Sequence, residues 1–427
     1  MAGAILRAMS AASPSPAPRT PLDRRRILAW CLYDFANSSY SAVIIATVFS
    51  VYFARVLVGN ETGRGDQVWG WAVSTSMVIV ALTSPVLGAV ADRAGVRKRM
   101  LFAFTALCIL CVALFATIRP GMIGWAFALV VLANVGFEGS LVYYNAYLPD
   151  IAPPEHRGYV SGLGYGIGYA GSALGLLIAL PLVKAGRYDL TWLTVAAFFI
   201  VFSIPLFRAM PPDAGSAVSV RRAALDGVVH FRRLLSDVLA MPDLRRFLAA
   251  FFIYIDGVET TIFFASIYAA TTLGFTAGQL ILMFLVVQLS ALAGAMVLAR
   301  PIDRWGPKRV INLSLVVWGV VAIVAALIRS QAAFFVVAVI AGTQLGTVQA
   351  ASRALMAGLI PKGKEAEMFG FYAVVGKSSA VLGPIVFGTV SHALGGNQRA
   401  AVLAVGVFFV VGLVLLQRVR APGSPGS

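Results

Sequence analysis

Gly88-Ala-Val-Ala-Asp92-Arg93-Ala-Gly95-Val-Arg97-Lys98-Arg99 follows the second long apolar segment of the chain, and Ala299-Arg300-Pro301-Ile302-Asp303-Arg304-Trp305-Gly306-Pro307-Lys308-Arg309 follows the eighth. Each copy has a small residue, an Asp four positions later, Arg next, Gly two further on and then a basic cluster, and the copies lie about 211 residues apart. Such a match marks an internal duplication. Working outward, each copy sits within a block of six apolar segments. The first block spans 28–57, 68–91, 100–118, 123–148, 158–180 and 189–208; the second spans 246–272, 277–299, 310–328, 332–358, 368–390 and 399–417. Most hold the ~20 apolar residues that a helix needs to cross a ~30 Å hydrocarbon core, and the longer ones must tilt or project. Strands of a membrane barrel would read instead as short alternating segments.

Composition points the same way. The 427 residues are 59% hydrophobic and 12% charged, with a mean hydropathy of +0.85, which describes an integral membrane protein whose main partner is the lipid bilayer. The net charge of +16 does not imply nucleic acid, because the basic residues are scattered over many short loops. With the N-terminus inside, 26 of the 34 Lys and Arg fall on the cytoplasmic side, which places both termini there. Cys31, Cys108 and Cys111 are odd in number and sit in apolar helix, so they read as packing residues rather than a disulfide framework.

Residues 1–22 are rich in Ala, Pro and Ser, and 1–27 read as a disordered cytoplasmic tail without a cleaved signal peptide, although an acid-poor, Arg-bearing start also fits a transit peptide. A six-helix bundle is expected over 28–208, a cytoplasmic linker over 209–245, a second bundle over 246–418 and a short tail over 419–427. Within the linker, Leu225, Val228, Val229, Leu235 and Leu239 fall near helical spacing with arginines between them. That pattern describes an amphipathic helix on the inner membrane surface, or else one that docks a partner.

Charges in the middle of apolar segments are few, and each is expensive in lipid, so they outline a cavity. Asp34, Asn37, Ser38 and Ser41 form a stripe on the first segment, and Asn134, Glu138 and Asn145 a sparser one on the fourth. The seventh brings Asp256, Glu259 and Thr260 to one face, the tenth offers Gln344, Thr347, Gln349 and Arg353, and Lys377 in the eleventh is the counter-charge. Asp256 and Glu259, one turn apart, repel if both ionise, which makes them a candidate proton carrier. Ser38, Ser41, Asn134 and Thr347 equally suit bonds between helices, and Arg353 a structural place at the cytoplasmic end. Gly164, Gly168, Gly171 and Gly175 on the fifth segment give a flat face for close helix packing. Gly166-Ile-Gly168-Tyr-Ala-Gly171 has dinucleotide-fingerprint spacing, but no strand precedes it. The chain lacks a phosphate loop, and His156, His230 and His392 have no metal spacing, so no cofactor and no enzyme chemistry are expected.

The repeated loop and the six-plus-six layout resemble the major facilitator superfamily. The resemblance implies an all-α membrane protein of the major facilitator fold, with twelve transmembrane helices in two pseudo-symmetric bundles. It implies that helices 1, 4, 7 and 10 line the pathway, and that Gly88, Asp92, Arg93, Asp303 and Arg304 belong to a cytoplasmic gate. Gly88 would let helices approach closely, with Ala299 and Pro301 departing from that in the second copy, and Arg97, Lys98 and Arg99 would serve as orientation anchors. A narrower resemblance, to the Atg22-like vacuole effluxers of the UMF1 group, rests on Trp30-Cys-Leu-Tyr-Asp34-Phe-Ala-Asn37-Ser38, Tyr143-Tyr-Asn145-Ala-Tyr-Leu-Pro149-Asp150 and Gly164-Tyr-Gly-Ile-Gly168-Tyr-Ala-Gly171. Gln349-Ala-Ala-Ser352-Arg353, Pro361, Glu365, Phe369-Gly370, Lys377 and Leu382-Gly383-Pro384 extend it through the second half. It implies a secondary transporter moving amino acids or another small polar solute by efflux or exchange, and a monomer in the bacterial inner membrane is expected. Four buried carboxylates facing one lysine add the expectation of coupling to protons. Sugars or other metabolites, and a channel or scramblase-like pore, are the alternatives.

Overall fold

The computed structural model describes residues 23–152, 157–213, 218–297, 299–360 and 365–420. Most of the expected N-terminal tail, Pro361 and the last seven residues lie outside that set. Among the described residues every regular element is a helix. The apolar helices in chain order are Arg24–Val58, Arg64–Arg93, Arg97–Thr117, Ile123–Asn145, Arg157–Lys184 and Tyr188–Ala209, then Pro242–Thr272, Ala277–Val297, Pro307–Leu327 and Gln331–Leu359. The eleventh is in two pieces, Glu365–Ser379 and Leu382–Ala393, and the twelfth is Gln398–Gln417. Eleven are long and apolar enough to cross a membrane; the eighth contributes a shorter apolar stretch, Ala277–Ala291. Leu82, Leu289, Val297 and Leu327 are 75%, 69%, 71% and 72% exposed. Side chains of that kind are stable facing lipid, not water, so the chain is an integral membrane protein.

The core divides as the duplication implies. One cluster of buried apolar side chains runs mainly from Ile27 to Met210, with a small contribution from later residues, and a second runs from Leu234 to Val419. The first helix starts where the Asp23 carboxylate accepts the N–H groups of Arg25 and Arg26 at 3.1 and 3.2 Å. Its winding loosens from α to π at Tyr40–Thr47 and again at Tyr52–Val58. Thr47 Oγ1 donates back to the Ala42 carbonyl at 2.6 Å in the wider turn. The change begins inside the polar stripe, and such π segments gather at functional positions.

The glycines of the fifth helix lie against the first. A Cβ at Gly171 would strike the Phe35 carbonyl, one at Gly175 would stand 2.9 Å from Ser39 Cβ, and one at Gly168 2.9 Å from Ser38 Oγ. Gly171→Val is therefore expected to cost about 3 kcal/mol or more through overpacking against backbone that cannot yield. The check is thermal unfolding in detergent, and an unchanged midpoint would contradict this packing.

Between the two blocks the linker forms a helix, Val220–Ala240, opened by Ser219 Oγ accepting the Arg222 N–H at 3.2 Å. Ala223 is buried beside Val90 and Ala94 of the second helix, Gly227 sits directly over Ala89, and Asp226 pairs with Arg93 at 3.5 Å. Farther along, Leu234 and Val238 enter the second core and Phe231 stacks on Phe371 at 5.5 Å. Leu225 and Val229 remain 60% and 58% exposed. The linker helix thus touches both blocks.

The basic cluster after Asp92 does more than anchor orientation. Arg97 pairs with Asp150 and lies 5.2 Å over the Tyr147 ring, while the Lys98 and Arg99 N–H groups donate to the Asp213 carboxylate at 2.7 and 3.1 Å. The physical reason is local: the first N–H groups of a helix need acceptors, and Asp213 supplies them.

Candidate functional site

Two chambers adjoin, the larger between the halves and the smaller within the first half, with Gln288 of the second half at its edge. The larger, of about 500 Å³, is lined by Glu138, Glu259, Gln349, Arg353 and Lys377 among others, and the smaller, of about 270 Å³, by Asp34, Asn37, Asn145, Tyr169 and Ser172 with Trp30. Ser41, Phe137 and Gln288 line both, so the chambers adjoin. Asn145, at the end of the fourth helix, and Arg353, near the end of the tenth, are exposed. Those helix ends lie on the face from which the first helix begins, and the cavity opens there.

At its centre Lys377 of the eleventh helix forms an ion pair with Glu138 of the fourth, a bond between the two halves. The lysine and glutamate side chains are 30% and 15% exposed, so both still reach the chamber. Glu259 shares that chamber but forms no ion pair with lysine or arginine among the described residues. Asp34 likewise has no such partner among the described residues. Asn37, 3% exposed, lines the smaller chamber one helical turn from Asp34.

The opposite face is closed by hydrogen bonds between the halves. Asp66, fully buried near the start of the second helix, accepts from Asn60 Nδ2 at 2.8 Å, Ser391 Oγ at 2.5 Å and Gln398 Nε2 at 2.9 Å. Around it Arg55 Nη1 donates to the Ala270 carbonyl at 3.1 Å, Trp69 Nε1 to that of Phe263 at 3.3 Å and Ser74 Oγ to that of Val381 at 2.7 Å. The second helix lies so close to the eleventh that a Cβ at Gly388 would be 2.7 Å from the Asp66 carbonyl. Three donor side chains held around one carboxylate satisfy it without a cation.

Several expected residues fall elsewhere. Asp256 does not line the cavity: it is fully buried, and both carboxylate oxygens accept the Gly383 N–H, at 3.0 and 2.9 Å. It caps the half-helix that begins after the break in the eleventh helix, where backbone N–H groups lack partners and a negative charge is favoured. Three carboxylates, not four, therefore face Lys377's cavity. Gln344 is absent from the lining, its amide turned to Thr343 Oγ1 at 3.5 Å. Asn134 bonds Ser76 Oγ at 2.7 Å and Thr347 the Thr343 carbonyl at 2.7 Å, as helix-packing groups do. Gly88 does not sit at a close approach; nothing lies within 4 Å of where its Cβ would be, because the tight contact is one residue on, at Ala89 against Gly227. Arg93 reaches the linker helix, Arg304 is exposed, and the side chains of Asp92 and Asp303 lie outside the described residues.

Gln288 on the eighth helix and the Asp66 cluster were not anticipated. Gln288 was legible as a lone amide in an apolar segment, but Asp66 reads as an ordinary helix-start charge until Ser391 and Gln398 are brought to it.

The chain is 28% identical over 406 residues to the uncharacterized MFS-type transporter YxiO of Bacillus subtilis (strain 168), covering 91% of this chain and 93% of that one. It is 28% identical over 285 residues to Autophagy-related protein 22 of Cryptococcus neoformans var. neoformans serotype D (strain B-3501A), covering 61% of this chain and 52% of that one. Among solved structures, the nucleoside transporter NupG superimposes with a TM-score of 0.69 at 15% identity over 92% of this chain and 98% of that one. A D-xylose-proton symporter does so with a TM-score of 0.66 at 16% identity over 94% and 99%. The fold is therefore that of the major facilitator transporters, and relatives and neighbours alike are transporters rather than enzymes. With the profile described as "Vacuole effluxer Atg22 like" matching residues 70–424, the chain belongs to the Atg22-like vacuole effluxer family.

Proposed function

We propose that the chain is a secondary active transporter that moves a small polar solute, of the amino-acid class, by alternating access in the direction of efflux or exchange. The observation that carries this reading is a polar cavity between two halves, open on one face, sealed on the other around Asp66 and bridged at mid-depth by the Glu138 and Lys377 pair. Twelve membrane-spanning helices with both termini in the cytoplasm agree with the basic loops, which makes the observed opening cytoplasmic. The pathway lies within one chain, which supports a monomer as the working unit, and a relative in Bacillus subtilis supports a bacterial inner membrane. Asp92, Arg93, Asp303 and Arg304 then serve as the cytoplasmic gate when the opening reverses.

Coupling to protons is part of the proposal, because Asp34, Glu138 and Glu259 outnumber Lys377 in a poorly solvated space. The sugar-proton symporter and the nucleoside transporter among the solved neighbours favour a sugar or nucleoside facilitator as the second reading. Purified protein in liposomes, tested over a metabolite panel, is expected to give saturable, solute-dependent counterflow. Flux that never saturates would point to a pore. An imposed pH step is expected to concentrate the solute, and native protein that never does so would leave facilitated diffusion.

A further inference from the structure

The charges of the cavity are unevenly spent. Lys377, its deepest cation, is taken by Glu138, and Arg353 stands exposed at the mouth. Asp34 and Glu259 form no ion pair with lysine or arginine among the described residues, one in each chamber. A neutral zwitterion would bring a carboxylate into a space whose lysine is already paired, whereas a net-positive solute would supply the charge that is missing.

The smaller chamber is built around one of these carboxylates. Trp30, one turn before Asp34, stacks on Tyr144 with ring centroids 4.5 Å apart and its Nε1 donating to the Tyr144 carbonyl at 3.1 Å. Both rings line the chamber, as does Tyr169. The fifth helix packs directly against this wall of the chamber: a Cβ on Gly168 would stand 3.1 Å from Asp34 Oδ2, and one on Gly164 would stand 2.6 Å from the Trp30 ring and 3.5 Å from the same oxygen. A carboxylate outside any ion pair, in a chamber otherwise walled by Trp30, Tyr144 and Tyr169, attracts an organic ammonium by charge-assisted hydrogen bonding. Asn37, buried one helical turn on from Asp34, lines the same chamber.

Resting on the transport reading above, we propose that the solute is a net-cationic amine of the basic amino-acid kind, with its ammonium seated at Asp34 in the smaller chamber. Glu259 supplies a second carboxylate outside any ion pair in the larger chamber, and the Glu138 and Lys377 pair remains an internal bridge.

The test is counterflow of labelled L-lysine by the full-length protein in liposomes, with unlabelled L-arginine, L-leucine, L-glutamate and D-xylose as competitors. Each solute is also assayed as the labelled species. Arginine is expected to compete and the other three are not. Asp34→Asn should raise the half-saturating lysine concentration at least about tenfold through loss of the charge-assisted contact, with Asp34→Glu recovering most of it. Counterflow of leucine, glutamate or xylose with lysine inert would overturn the cationic class while leaving the carrier reading intact. Lysine counterflow that Asp34→Asn leaves unchanged would overturn the ammonium seat. If Asp34→Asn cannot be purified, the solute ranking by the native protein decides the class. No saturable counterflow with any of the five would overturn the carrier reading and this one with it.

Discussion

Lys377→Ala is expected to reduce solute exchange by roughly 30- to 150-fold, the equivalent of about 2 to 3 kcal/mol for stranding a partly buried carboxylate. The loss follows from where Lys377 sits. It is the only basic residue of the described eleventh helix's first piece, and its ion pair with Glu138 joins the two halves at the middle of the pathway. Removing the amine leaves Glu138 facing Glu259 across the same chamber, with Arg353 at its mouth as the remaining cation of the lining. Glu138→Gln is expected to be less damaging, because Lys377 then retains Glu259 as a neighbour in that chamber. The reciprocal exchange, Glu138→Lys with Lys377→Glu, is expected to recover part of the activity, since it restores one pair between the same two helices. Transport by Lys377→Ala at the native rate would mean that the pair is incidental to the cycle.

Asp66→Ala is expected to loosen the sealed face. Asn60, Ser391 and Gln398 would each lose the acceptor they now share, and buried donors left unpaired cost about 1 to 3 kcal/mol apiece. Even about 2 kcal/mol shifts a two-state equilibrium roughly 30-fold, toward whichever state lets those donors reach water. The readout is a thiol placed at Ser74, 3% exposed beneath the seal, whose modification by a membrane-impermeant reagent from that face should accelerate about tenfold or more in the Asp66→Ala background. An unchanged rate would show that the cluster holds nothing shut. Asp66→Asn keeps an acceptor oxygen and is expected to fall between the two.

How much of this was readable beforehand depends on whether the signal was local. The duplicated loop and the apolar periodicity carry the fold, because membrane insertion demands long apolar helices whatever they pack against. The stripe from Asp34 to Ser41 was readable for the same reason: helical spacing alone brings those side chains to one side. Asp256 was misread because its burial looks in sequence like that of Glu259, three residues on, and only the break after Ser379 reveals the backbone N–H group that it caps. Gly88 was misread because a motif marks a position without stating which conformer brings a neighbour to it. Asp66 was invisible because its partners Ser391 and Gln398 are more than three hundred residues away, and neither is unusual where it stands.

The claim on which everything else depends is that one cavity serves both faces in turn. It is tested most directly by paired thiol accessibility, with one cysteine at Ser74 beneath the sealed face and, in a second variant, one at Gln349, which lines the open chamber. The native cysteines Cys31, Cys108 and Cys111 are buried and serve as the silent background. Titrating in a transported solute is expected to change the two modification rates in opposite directions, one rising as the other falls. Rates that rise together, or two sites that react at full speed at once from opposite faces, would describe a continuous pore and contradict alternating access.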